Sequence, residues 1–219
     1  VFNVYIKDDQ FRSNPTKLIG RRPFDRQIHL YDYDHSELVD LLTDIRKVTD
    51  AYADTYVIGE TFMGTPEKAA GYCGKDYLHA CFDFGFLESS FKPGRLAKAV
   101  TDWESALGED KWPNYVLNNH DTPRTATRFG QKEQDARLKI AAALLLSLRG
   151  TPFLYYGEEI GMRDIRLKRG EILDPVGKRY WPIFKGRDGC RAPMQWNASE
   201  HAGFSSGDPW LPLHPDYST

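Results

Sequence analysis

An α/β fold with a parallel sheet is the class this sequence predicts, and two observations carry it. Short β-favouring apolar runs alternate along the chain with longer segments whose apolar residues recur at helical spacing. Two of those runs close on acids: Tyr56-Val57-Ile58 leads into Gly59-Glu60, and Tyr115-Val116-Leu117 leads into Asn118-Asn119-His120-Asp121. A parallel α/β fold carries its catalytic groups at such strand ends, so the chain reads as part of an enzyme.

The elements follow in order. Val1 to Ile6 reads as a strand or the end of one. Asp34 with Glu37 three residues on has the pattern of a capping box, and Leu38, Leu41, Leu42, Ile45 and Val48 then repeat with helical period, predicting a helix over about 36–52. Pro93 suits the first turn of a second helix whose face is Leu96, Val100, Trp103 and Leu107. A third helix is expected from about Gln134 to Arg149. Its second half is so apolar that it calls for cover on more than one side, and Gly150 supplies its stop. Strands are expected at Tyr56 to Ile58, Leu78 to Phe82, Tyr115 to Leu117 and Phe153 to Tyr156. Strands separated by helices imply parallel pairing with right-handed crossovers. A closed barrel of eight such units takes about 250 residues, so the four or five units here predict the C-terminal half of a (β/α)8 barrel, with earlier strands expected before Val1. The segment Met162 to Arg187, rich in charge, Gly and Pro, is too long for plain connectivity and reads as a wall of the substrate site.

Composition narrows the function. The 219 residues, 41% hydrophobic and 27% charged, can bury a sizeable core. A formal net charge of -2 with both signs mixed gives no reason to expect nucleic acid or an anionic membrane as partner; a neutral substrate fits better. The longest apolar run, Ile140 to Leu148, is about half of the roughly 20 residues that span a bilayer, and no signal peptide opens the sequence. Cys73, Cys81 and Cys190 lack metal-type spacing and read as buried thiols, which points to a reducing, cytoplasmic location.

Together with Gly186-Arg187-Asp188-Gly189-Cys190-Arg191-Ala192-Pro193-Met194-Gln195-Trp196, the two acid-ended segments resemble the α-amylase superfamily of glycoside hydrolases, in its α-glucosidase and oligo-1,6-glucosidase branch. The resemblance runs from Val1 to Thr219 and treats the whole as one partial catalytic barrel, from about the end of strand 4 to strand 8 and its following loop. Hydrolysis with retention needs two carboxyl groups about 5 to 5.5 Å apart, one protonated and one ionised. The resemblance implies that Glu60 is the proton donor, its pKa raised by burial at the barrel mouth. It implies that His120 and Asp121 bind hydroxyls of the sugar being cleaved, with Asp121 gripping harder as positive charge develops at the anomeric carbon. Read alone, Glu60 is an ordinary loop charge as readily as an acid, and Asp121 a turn cap. The resemblance puts the nucleophilic aspartate immediately before Val1, so the 219 residues alone are expected to be inactive without the rest of the same catalytic domain.

Arg187, rather than Arg191, matches the arginine that closes the sugar pocket in exo-acting members; the bland alternative is an arginine that ties down its loop. Arg124 either orients Asp121 or is a solvated turn residue. Glu158 and Glu159, after Phe153-Leu154-Tyr155-Tyr156-Gly157, are structural in the family. Asp83 is expected to make a hydrogen bond at the barrel mouth. Ile28 to Asp34, with Tyr31 and Tyr33, lies on the aglycone side by the same resemblance. Val1, directly after the expected nucleophile, would contact the leaving sugar, and valine there goes with α-1,6 preference. No cofactor is implied; a structural calcium occurs in relatives on a loop of the first half. The implied activity is release of terminal α-linked glucose from short oligosaccharides. Two rivals stand beside it: a transferase or isomerase of the sucrose isomerase or trehalose synthase type, and a non-catalytic accessory barrel. The retention of Glu60, His120 and Asp121 argues against the latter.

Overall fold

The computed structural model describes residues 6–20, 22–61, 65–130 and 135–218. The chain divides into two compact units, Val1–Val116 with Arg149–Pro152, and Leu117–Leu148 with Phe153–Thr219.

In the first unit, β1 (Ile58–Gly59) and β2 (Ala80–Cys81) pair in parallel, Ile58 opposite Ala80 and Gly59 opposite Cys81. A parallel bridge from Phe82 to Asn114 carries the pairing to β3 (Asn114–Val116), and β4 (Thr151–Phe153) lies beside β3. Successive strands therefore pair in the manner of a (β/α)8 barrel segment, with helices between them. The helices are α1 (Leu38–Asp50), α2 (Pro66–Gly71), α3 (Phe84–Glu88) and α4 (Pro93–Leu107). The strands are two or three residues long, shorter than the apolar runs that predict them, and most of the expected strand Val1 to Ile6 lies outside the described residues.

The α4 forecast is met closely. Pro93 stands in its first turn, Leu96, Trp103 and Leu107 are buried, and Gly108 ends it at φ 69. Trp103 is 1% exposed, and Phe86, Leu87 and Tyr115 are buried in the same unit; the Phe86 and Tyr115 rings meet edge to face at 5.2 Å. Truncating so buried an aromatic typically costs about 3 to 5 kcal/mol. The polar end of Tyr115 is satisfied by Glu104 at 3.0 Å, whose other oxygen takes Arg149 at 2.5 Å. Gly150 is needed sterically: at φ +126, a Cβ there would come within 2.3 Å of the Pro113 carbonyl oxygen.

The capping box expected at Asp34 and Glu37 does not form. Glu37 is the N-cap of α1 and makes no side-chain cap, while Asp34 sits at φ 53 with its carboxylate accepting from Tyr72 Oη at 2.8 Å and Lys68 Nζ at 3.0 Å. A tertiary phenol and ammonium outcompete the local amide. Leu38 and Leu42 of the predicted face are buried, but Ile45 and Val48 are exposed.

The second unit holds α5 (Thr125–Phe129), α6 (Asp135–Ser147) and α7 (Pro175–Tyr180). Ala141 and Leu145 bury one side of α6; Ile140 and Leu146 are 58% and 60% exposed, so the many-sided cover its composition calls for is not provided within the unit. Met162 to Arg187 is an excursion as expected, containing a 3-10 turn at Arg169–Glu171 as well as α7. Ile165, Ala192 and Leu211, with Leu167 against them, form a small core beneath it. The four helices α2, α3, α5 and α7 escape the periodicity argument because five or six residues make too few turns to show it.

Asp83 illustrates how a strand end becomes a helix start. It is buried and caps α3, its Oδ1 accepting from the Phe86 amide at 3.1 Å. Burial pushes its carboxyl up to about 6, the amides of Phe86 and Gly85 only partly opposing this. Because the folded pKa lies above the unfolded value of 3.8, the stability it contributes is full below pH 3.8 and is lost as pH rises through about 6. Asp83→Asn keeps an acceptor for the cap and cannot ionise. Urea unfolding should find the variant more stable than wild type at pH 7, by on the order of 1 to 3 kcal/mol, with the difference closing towards pH 4. A difference that does not change with pH would show that Asp83 is not the titrating group.

Candidate active site

Glu60 follows β1 directly, in the first unit, where parallel pairing of Gly59 with Cys81 sets the strand end from which it projects. It is half-buried, between exposed Tyr56 and buried Thr61, rather than enclosed as expected. Among the described residues its carboxyl has no hydrogen-bond or ion-pair partner, so it remains available to a ligand. On the same unit a cavity of about 730 Å³ is lined by Tyr31, Asp32, Gln27, Asn14, Lys7 and Arg12. One face of Tyr31 is covered by the Arg12 guanidinium, 4.2 Å from the ring centre, and Tyr33 packs against His29 at 4.5 Å. The two tyrosines on the expected aglycone side thus have part of their stacking surface already occupied.

His120, Asp121 and Arg187 come together in the second unit. After Leu117 the chain turns through Asn119, whose Oδ1 accepts from the Asp121 amide at 2.9 Å and the Thr122 hydroxyl at 3.0 Å. This Asx turn presents the Asp121 carboxylate outward, one-third exposed. Its Oδ1 receives Arg191 Nη2 at 2.6 Å and Arg187 Nη1 at 3.2 Å, with His120 Nε2 3.5 Å away. Arg191 also donates from Nε to the His120 carbonyl at 2.7 Å. All of these partners approach one oxygen, and among the described residues none bonds Oδ2. Two guanidiniums on one carboxylate oxygen fix its direction, which suits a group that binds hydroxyls and answers positive charge.

Arg124 neither points to Asp121 nor faces solvent. It is buried, donating from Nη1 to the Tyr156 carbonyl at 2.6 Å and lying over the Tyr155 and Tyr156 rings, while its amide is bound by Asp164 at 2.9 Å. Glu158 takes the Thr125 hydroxyl at 2.6 Å and the Tyr155 amide at 3.3 Å; burial raises its pKa against those bonds. Its neighbour Glu159 is exposed. Val1 lies outside the described residues. Asp174 and Asp188 are polar groups of the site to which motif reading assigns no role, and Arg191, which it sets aside in favour of Arg187, binds Asp121 as well. The signal for Asp174 is local: Asp-Pro ahead of a short helix marks an N-cap. Among the described residues no cluster of three His, Cys, Asp or Glu could hold a metal ion, and no helix is long and apolar enough to cross a membrane.

Known proteins share this arrangement of sequence. The family model for the α-amylase catalytic domain matches residues 2–219. A probable α-glucosidase of Rhizobium meliloti is 36% identical over 96% of this chain, which covers 41% of that protein. An oligo-1,6-glucosidase of Parageobacillus thermoglucosidasius is 33% identical over 78% of the chain and 36% of its own length. The crystal structure of an α-glucosyl transfer enzyme, XgtA, superposes with a TM-score of 0.91 at 33% identity, over 99% of this chain and 42% of that one. The chain therefore spans about two-fifths of the length of these relatives.

The structural reading of Glu158 has a direct check. Thr125→Val removes the hydroxyl that donates to a buried carboxylate and should cost on the order of 1 to 3 kcal/mol in denaturant unfolding at neutral pH. The cost should shrink in acid, where Glu158 is protonated; an equal loss at both pH values would assign it to packing instead.

Proposed function

The chain belongs to the α-amylase catalytic-domain family, and on that premise we propose that it forms the C-terminal half of the barrel of a retaining, exo-acting α-glucosidase releasing terminal glucose from short α-linked oligosaccharides. The observation that carries this is Asp121, gripped on one oxygen by Arg187 and Arg191 beside His120, with no bond to its other oxygen among the described residues. In this reading Asp121 accepts hydroxyls of the bound glucose and tightens as the anomeric carbon becomes positive, and His120 adds a further hydrogen bond. Arg187 and Arg191 wall the pocket. Glu60, without a partner among the described residues, protonates the leaving oxygen and then takes a proton from the attacking water. The nucleophilic carboxylate belongs to the preceding part of the barrel, and activity is assigned to the complete domain. The apolar sides of Ile140 and Leu146 are consistent with further barrel elements packing there. No cofactor enters this chemistry.

A second reading is favoured by the likeness to XgtA: an α-glucosyl transferase shares every step up to the glycosyl-enzyme intermediate and differs in the acceptor. Product analysis on maltose or sucrose separates them, glucose release marking hydrolysis and new oligosaccharides marking transfer.

The roles of the two acids are separable by leaving group. In the full-length protein, Glu60→Gln should lose most activity on disaccharides and least on aryl α-glucosides with good leaving groups, with azide restoring turnover of the latter. Asp121→Asn should depress all substrates alike. Equal loss on every substrate for Glu60→Gln, with no azide effect, would remove Glu60 from the acid role.

Linkage preference follows from Val1 on the same reading. The wild-type enzyme should favour isomaltose over maltose, and Val1→Thr should move the ratio of kcat/KM values toward maltose by about 1 to 3 kcal/mol. A wild type that prefers maltose would withdraw the linkage assignment.

A further inference from the structure

Asp121 is not the only acid with a claim on Arg187. The side chain of Asp174 is fully enclosed, and its two oxygens take Arg187 Nε at 3.0 Å and Nη2 at 3.2 Å, with the Arg187 amide at 2.9 Å besides. This is a bidentate fork, the strongest and most direction-setting pairing a guanidinium makes. It leaves Nη1 for Asp121. Asp174 is held in turn: its amide and that of Leu173 both donate to Asp188 Oδ2 at 2.7 Å. Two glycines permit the approach, because a Cβ on Gly177 would sit 2.8 Å from the Gly186 Cα and one on Gly186 would sit 3.1 Å from Asp174 Oδ2. Arg191 is anchored differently, on the backbone carbonyl of His120 and on Asp121 itself, with no second acid bound to it among the described residues.

We infer that Asp174 is a positioning residue for catalysis: it sets the Arg187 guanidinium at the angle from which a single N–H aligns Asp121, and so couples the Met162 to Arg187 excursion to the sugar-binding carboxylate. This rests on the reading of Asp121 as the group that answers charge in the transition state. A buried carboxylate with a forked partner has one low-energy geometry, whereas Arg187 without it would be free to turn its whole fork onto Asp121 or out to water. Either motion redirects Asp121, and errors of about 1 Å in such a group cost up to about a hundredfold in rate.

Asp174 also caps α7 through the Val176 amide at 3.1 Å, so a purely structural role has to be told apart. In the full-length protein, kcat and KM are measured on an aryl α-glucoside and on a disaccharide, with thermal unfolding alongside. Asp174→Ser keeps a capping oxygen and loses the fork; Asp174→Asn keeps shape and loses charge. Both are expected to lower kcat by about tenfold to a hundredfold on both substrates, with KM changing far less. Combined with Arg187→Ala, either should add little to the loss from Arg187→Ala alone, as for residues acting through one contact. Arg187→Lys, which cannot fork, should reproduce the kcat loss and covers the case in which the Asp174 variants do not fold. Wild-type kcat in folded Asp174→Ser, multiplicative losses in the double variant, or a wild-type Arg187→Lys would each overturn the inference. Glu60→Gln and Asp121→Asn serve as controls: if these are inactive while the Asp174 variants are unimpaired, only the positioning role falls, and if Glu60→Gln retains full activity on disaccharides the glucosidase reading falls with it.

Discussion

A charge withdrawn from water must be answered within hydrogen-bonding distance, and the second unit is organised by that requirement. Arg124, Asp174 and Asp188 are all buried there. Arg124 is answered by the Tyr156 carbonyl and two aromatic faces, Asp174 by Arg187, and Asp188 by two backbone amides. Each answer ties together segments far apart in sequence: the turn after Asp121 to the turn after β4, and Asp174 to the Gly186-Arg187-Asp188-Gly189 segment. The polar network does here what a large apolar core does elsewhere, since the unit's own apolar cluster at Ile165, Ala192 and Leu211 is small.

The first unit meets a different constraint. β2 and β3 are buried along their whole length and β2 pairs with β1 in parallel, so helices must cover the sheet. Trp103, Phe86 and Leu96 come from those helices and are buried, and the Phe86 ring meets that of Tyr115. Two acids tie its elements together: buried Asp83 starts α3, and part-exposed Glu104 of α4 lies between Tyr115 and Arg149. Glu60 stands at the edge of this packing, on the last residue that the β1 to β2 pairing positions.

A functional consequence follows from comparing the acids. Asp83, Glu158 and Asp164 are pushed toward the neutral form by burial, and each makes short-range bonds that hold an element in place. Asp121 and Glu60 are the more accessible acids at strand ends, one clamped by arginines and the other without a partner among the described residues. Burial has sorted Asp83, Glu158 and Asp164 among the acids that build, and the naive attraction of Glu158 as a catalytic acid disappears on that criterion, since Thr125 and the Tyr155 amide already occupy it.

By itself the sequence determined the alternation of strands and helices, because apolar runs and helical periods are local properties that burial of a sheet and its cover demands. It located α4 to the residue at Pro93 and brought out Glu60, His120 and Asp121 as strand-end groups. Tertiary structure alone decided who partners whom. Asp34 could cap a helix locally, and Tyr72 and Lys68 claim it; Arg124 could face water, and the Tyr155 and Tyr156 rings enclose it. Arg187 and Arg191 are four residues apart with the same side chain, yet only Arg187 is forked by a buried acid, thirteen residues earlier in the chain. Such choices depend on distances across the fold, and charge pairing reaches only a few ångströms, so no reading of neighbours along the chain could have made them.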